Sequence, residues 1–358
     1  MDINSYFNEK LSSMLFLEIN SSRVSDLFNI SMQENIYLPI RSEKLIEQVE
    51  NNGNADLIPL GAFIEGMFYV LGIDKMFRYK EQYIKLLETN EENIKYIKGR
   101  IYKLINDEQY EDSFILLRGL SEIERSKDIF SKLILISENL RRTKEEYPSL
   151  ELECINELKV IDEEDAFPYF YEALIYKRNN DFTKAFYCIN TYLAKGGEPT
   201  NEALDLKNNL KNIVDYDKGK ELLYEDPKAA LKLLLPLLDE FNEDPILYYN
   251  VAIAYRIIEN HEKAIYYLNE ALNIDNNLVE VVNELGINYA SIGDFNTAVS
   301  YLRKAFEVTR AIEICTNLVM CYLNLGDIEQ VRNHYEIAKK INSEDEVVKE
   351  LANIIGNL

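Results

Sequence analysis

Along the chain, apolar residues return at helical spacing far more often than in alternation. In the first 93 residues, spacing at i, i+3 and i+4 predicts helices near 4–18, 42–50, 58–72 and 75–89. The most apolar stretch, Leu57 to Ile73, is shorter than the roughly 20 residues that span a bilayer. It also contains Pro59, Gly61, Glu65 and Gly66, so it reads as a buried helix. In the last third the pattern itself repeats. Pro245–Leu278, Val279–Ala311 and Ile312–Asp345 are blocks of 34, 33 and 34 residues with matching residue types in register. An aliphatic residue and a neighbour recur at Val251-Ala252, Leu285-Gly286 and Leu318-Val319. Tyr255, Tyr289 and Tyr322 share one column, and turns recur at Glu259-Asn260, Gly293-Asp294 and Gly326-Asp327. Small or apolar residues follow at Ala264, Ala298 and Val331, then at Ala271, Ala305 and Ala338.

This pattern resembles the tetratricopeptide repeat (TPR) family, whose unit is a helix, a tight turn and an antiparallel second helix. The columns make physical sense. Small residues at Ala252, Gly286, Ala264 and Ala298 let the paired helices approach closely. The tyrosine column is expected to fill space between neighbouring hairpins. The Gly-Asp turns end one helix with a left-handed residue and cap the next.

Upstream the pattern decays. Residues 211–244 keep Asp226-Pro227 at a turn, then Ala230, Leu234 and Leu237. Residues 166–199 keep Ala173, Tyr176, Asp181-Phe182 and Ala185, and residues 200–210 lengthen the following helix. Residues 132–165 match poorly and residues near 94–131 more poorly still. The expected organisation is a helical N-terminal region over 1–93, then an array over 94–345. The array is degenerate over 94–165, fair over 166–244 and clear over 245–345. A capping helix follows over 346–358. The resemblance implies an all-α fold, a right-handed superhelix (α-solenoid) of stacked hairpins. A single hairpin cannot bury its own apolar face, so a continuous array is expected.

Charge narrows the function. The chain has 62 Asp and Glu against 39 Lys and Arg, a net charge of −23. Binding to duplex nucleic acid or to an anionic membrane surface needs clustered cations, so neither is expected. The 47% hydrophobic content argues against a disordered acidic chain. The start Met1-Asp2-Ile3-Asn4 lacks the form of a signal peptide, which favours the cytoplasm. Cys154, Cys188, Cys315 and Cys321 contain no C-x-x-C pair and read as buried thiols.

Candidate chemistry is sparse. The two histidines, His261 and His334, fall at different depths in the array and are not expected to share a metal or proton. Asp215-x-Asp217-x-Gly219 lacks a third calcium ligand and lies inside a predicted helix. Phosphate-loop, G-x-S-x-G and H-E-x-x-H patterns are missing. The expectation is a non-enzyme with no cofactor, no metal and no catalytic residue.

By resemblance to the family, the first helix of each hairpin lines a concave groove. Projection onto that face gives Phe167, Phe170, Leu174 and Arg178 in the fair region. It gives Tyr249, Ile253, Arg256, Asn283, Ile287, Met320 and Asn324 in the clear one. The implied partner is a protein or peptide segment, neutral or basic. The Lys columns of a two-carboxylate clamp for acidic tails hold Tyr249, Asn283 and Thr316 instead, so that subtype is not expected. A second reading is a peptide-sensing regulatory receptor that acts on a protein target through residues 1–93.

Overall fold

The computed structural model of the protein describes residues 3–42, 58–142 and 147–356. The expected helix near 42–50 lies almost wholly outside these residues. The elements begin with α1 (Ile3–Ser12), β1 (Met14–Ile19), α2 (Ser21–Phe28), β2 (Ile36–Arg41), α3 (Leu60–Ile73) and α4 (Lys80–Leu87). Then come α5 (Glu91–Asn106), α6 (Tyr110–Ser121), α7 (Lys127–Arg141), α8 (Tyr147–Ile161), α9 (Phe167–Arg178) and α10 (Phe182–Ala194). The rest are α11 (Asn201–Glu221), α12 (Pro227–Leu234), α13 (Pro245–Ile257), α14 (His261–Ile274), α15 (Val279–Ser291), α16 (Phe295–Thr309), α17 (Ile312–Leu325), α18 (Ile328–Ile341) and α19 (Glu346–Ile355). The fold class is all-α, with one small exception near the N-terminus. The contacts divide the chain into two compact units, residues 1–210 and 211–358.

In the first unit, one core runs from Phe7 to Ile175 and joins the N-terminal region to the helical hairpins that follow it. The helix expected near 4–18 is corrected: α1 ends at Ser12, and Met14–Ile19 is a strand paired antiparallel with Ile36–Arg41. Each strand is a short apolar run, and such runs suit helix or strand until a partner decides. The Leu57–Ile73 stretch is the buried helix α3, with Phe63, Met67, Phe68, Val70 and Leu71 fully enclosed. Among the described residues no helix is long and apolar enough to cross a membrane. Helix α3 crosses α6 at two glycines, so closely that backbone touches backbone. A Cβ added at Gly72 would lie 1.9 Å from the Ile115 carbonyl oxygen, and one at Gly119 would lie 1.9 Å from that of Phe68. Arg118 fastens the crossing, donating from Nη1 to the Gly72 carbonyl at 2.6 Å.

In the second unit, consecutive hairpins stack, each buried against its neighbours. Their turns are built from side-chain caps. Asp226, Asp244, Asn260, Asp294 and Asp327 each accept a hydrogen bond from a backbone N–H in the first turn of α12, α13, α14, α16 and α18. Gly293 and Gly326 take the left-handed conformation at the turns, with φ of 84° and 74°. Gly286 accommodates Leu302 of the paired helix, where a Cβ would sit 2.6 Å from Leu302 Cγ. The tyrosine column differs from expectation. Tyr255 stacks on Tyr267 at 5.4 Å and Tyr289 on Tyr301 at 5.6 Å, in each case within one hairpin. Tyr322 packs on His334 at 5.0 Å in the same way. These flat rings therefore fasten the two helices of a hairpin together, and His334 occupies the third copy of the stacking position.

Candidate functional site

The first helices of the second unit carry the most coherent surface. Between α15 and α17 lies a cleft of about 280 Å³. Its walls are Ile287, Ala290 and Ser291 on one side and Asn317, Met320, Cys321 and Asn324 on the other. Phe295 and Leu302 of α16 form the floor, and no charged side chain lines it. Met320 is 43% exposed, unusually bare for a methionine on an otherwise packed helix. Asn324, also on the wall, donates from Nδ2 to the Met320 carbonyl at 2.8 Å. Three residues projected from sequence, Ile287, Met320 and Asn324, therefore meet in one place. Phe295, Leu302 and Cys321 were missed because they come from the second helix or from a buried column.

One hairpin earlier the surface becomes polar. Arg256 of α13 reaches Glu284 of α15, with Nε 2.8 Å from Oε2. The contact is Coulombic, since neither atom makes a well-aligned hydrogen bond. Burial raises the Glu284 carboxyl above its ordinary range despite that cation. Tyr249 is half-buried beside this pair; burial, then Glu284 and Tyr224, push its hydroxyl up to about 12, so it stays a donor. Asn283 Oδ1 is buried and has no hydrogen-bond partner among the described residues.

Ile253 requires a correction. It is 2% exposed, inside the buried run Asn250–Tyr255. Helix α13 packs against α12 and the 3₁₀ turn Leu235–Asp239 as well as its own partner α14, which leaves little of it bare. Ile253 is enclosed and presents almost no surface to a ligand. Thr316, from the clamp columns, is likewise buried, as is Asn250 beside Tyr249.

Phe167, Phe170, Leu174 and Arg178 belong to the first unit. Phe167 packs on Tyr171 at 4.8 Å, and Phe170 on Tyr171 and Tyr192 at 5.5 and 5.4 Å. These rings are largely engaged with each other. Leu174 is half-buried. Arg178 donates from Nη1 to the Arg141 carbonyl.

That last contact borders a buried charge cluster. Glu151 is 0% exposed and pairs with Arg141 Nη1 at 3.1 Å. Burial pushes the Glu151 carboxyl up to about 8; Arg141 opposes this and Glu138 adds to it. A carboxyl raised in the fold from about 4.5 binds its proton more tightly folded than unfolded. Stability should therefore fall as pH rises from about 5 to about 8. Thermal melts across that range should show a declining midpoint, and Glu151→Gln should flatten the slope. An equal slope in the variant would assign it elsewhere.

The histidines and cysteines are engaged within the fold. His261 Nδ1 lies 2.9 Å from Asn288 Oδ1, and His334 Nδ1 lies 3.0 Å from the Gln330 carbonyl. All four cysteines are buried and unpaired, and burial pushes Cys154 up to about 12 and Cys315 and Cys321 up to about 11. Among the described residues no group of three His, Cys, Asp or Glu could hold a metal.

A family model for the tetratricopeptide repeat matches residues 246–278 and 279–311, the hairpins α13–α14 and α15–α16. The chain is 22% identical over 309 residues to a TPR repeat-containing protein of Methanocaldococcus jannaschii. That match covers 77% of this chain and 51% of the relative, so the chain spans about half the relative's length. Among solved structures it is similar to YrrB, described as a TPR protein with an unusual peptide-binding site. There the identity is 18%, the coverage 56% of this chain and 97% of that one, and the TM-score 0.38. It is also similar to the C-terminal part of a TPR repeat-containing protein of Cytophaga hutchinsonii. That identity is 13%, the coverage 71% and 98%, and the TM-score 0.39. Likenesses of this size carry no weight for a partner or a binding site.

Proposed function

We propose, from the premise that the chain is a tetratricopeptide repeat protein, that it is a non-enzymatic interaction scaffold. Its second unit takes a segment of another protein along the first helices α15 and α17, with Tyr249 and Arg256 of α13 at the margin. The observation that carries this reading is the uncharged cleft with Met320 and Ile287 on its walls and Phe295 and Leu302 beneath. A pocket of this size takes one apolar side chain as an anchor, and such anchors carry most of the binding energy in peptide recognition. Tyr249, with its protonated hydroxyl, and the Arg256–Glu284 pair supply polar contacts one hairpin away. Glu280 and Glu313 are exposed at the starts of α15 and α17, and together with the −23 charge they favour a neutral or basic segment over an acidic one.

A random-peptide display selection on the full chain tests this. The expected result is an enriched family with a conserved aliphatic or aromatic anchor and no excess of Asp or Glu. Failure to enrich any family, or enrichment of acidic peptides, would contradict it.

A further inference from the structure

The first unit has a cavity of its own, about 340 Å³, where α1, the end of α3 and its following loop, α6 and α8 meet. Its most enclosed charge is Arg118 of α6, whose side chain is 9% exposed. The guanidinium lies over the Phe7 ring, 5.3 Å from its centroid. Its Nη1 is spent on the Gly72 carbonyl. Among the described residues Nη2 reaches only Glu153 Oε2, at 3.4 Å, near the outer limit of a hydrogen bond. Glu153 gives its other oxygen to Lys75, in the loop after α3. Burial alone would raise the Glu153 carboxyl, but Lys75 and Arg118 hold it below its ordinary range, so it is an anion at neutral pH.

A guanidinium this buried needs an anionic partner. Glu153 fills that place at long range, with a side chain 39% exposed and so able to swing into solvent. The other carboxylate, Asp74, is engaged in its own loop, where Oδ1 accepts from the Met76 N–H at 2.9 Å. Apart from Asn8, the rest of the lining is apolar: Phe7, Ile73, Leu150 and Met76. Met76 is 90% exposed, an unbranched side chain bare enough to fold over a ligand.

We propose that this cavity binds an organic monocarboxylate with a short apolar tail, a ligand distinct from the segment assigned to the second unit. Its carboxylate takes the place of Glu153 between Lys75 and Arg118, and its tail lies on Phe7, Ile73 and Leu150. Three features select this class. The group already seated between the two cations is a carboxylate, so the place suits one. One charge enters as one leaves, whereas a phosphate would bring nearly two beside Asp74. The apolar lining rewards a tail that a bare inorganic ion lacks. Glu153 is then a built-in competitor that sets the affinity.

The test is calorimetric titration of the full chain with isocaproate, with isocaproamide as the uncharged control. The expected result is binding of the acid and not of the amide. Glu153→Gln removes the competing charge and should tighten binding about tenfold, the effect of one charge-assisted contact. Adding Lys75→Gln to that variant removes one cation and should undo the gain. Arg118 is left intact, because it fastens the crossing of α3 and α6. Both changes are at partly exposed side chains, so the melting temperature without ligand should stay close to that of the wild type. Acetyl-leucine separates the two sources of such a group: tighter binding than isocaproate assigns the site to a protein's C-terminus, and weaker binding assigns it to a free organic acid. Equal binding of acid and amide would overturn the proposal. So would a double variant that binds as tightly as Glu153→Gln alone, or no binding to either the wild type or Glu153→Gln.

Discussion

Gly119→Ala should destabilise the first unit by about 3 kcal/mol or more, at the upper end of what overpacking costs. The new Cβ would lie 1.9 Å from the Phe68 carbonyl oxygen, and the obstacle is backbone, which no rotamer change relieves. Helices α3 and α6 would have to separate, and they form the centre of the core that joins residues 7 to 175. Separation would also break the bond from Arg118 to the Gly72 carbonyl. Gly72→Ala should behave alike, since its Cβ meets the Ile115 carbonyl at the same distance. Gly99 is the control: it sits on the exposed face of α5 with nothing within 4 Å of an added Cβ. Gly99→Ala should therefore stabilise by roughly 0.5–1 kcal/mol. Chemical denaturation of the three variants checks the set, and a Gly119→Ala chain as stable as wild type would refute the backbone contact.

The second large effect is on binding. Ile287→Ala with Met320→Ala should weaken a selected peptide by about 2–4 kcal/mol, the range for losing a main anchor. Both residues are at least partly exposed, so the fold should hold. Titration calorimetry with a circular dichroism control reads the difference. Ile253 has no place in this test, because trimming a side chain that is 2% exposed would empty the core rather than the site.

The clear repeats were legible because residue type and spacing agree there. Asp294 and Asp327 are caps, Gly293 and Gly326 are left-handed, and Gly286 is where helices meet. What the sequence hid was mostly tertiary. Ile253 of α13 and Met320 of α17 occupy like columns, yet Ile253 is enclosed on a helix that also contacts α12 and the 3₁₀ turn Leu235–Asp239, while Met320 is bare. The tyrosine column was visible, but its partners lie twelve residues on, at Tyr267, Tyr301 and His334, and belong to the same hairpin. The strands were misread for a local reason. Met14–Ile19 continues the apolar spacing of α1, and Pro39 argues against a strand unless its N–H side faces away from the pair. It does face away, and α3 covers that side.

Site-specific photo-crosslinking tests the central claim most directly. A photoreactive phenylalanine analogue replaces either Met320, on the cleft wall, or Tyr266, 58% exposed on the second helix α14. Each protein is irradiated with a display-selected peptide at saturating concentration. A scaffold that binds along the first helices crosslinks strongly from position 320 and not from position 266. Crosslinking from 266 with none from 320 would place the peptide on the opposite helices and contradict the account.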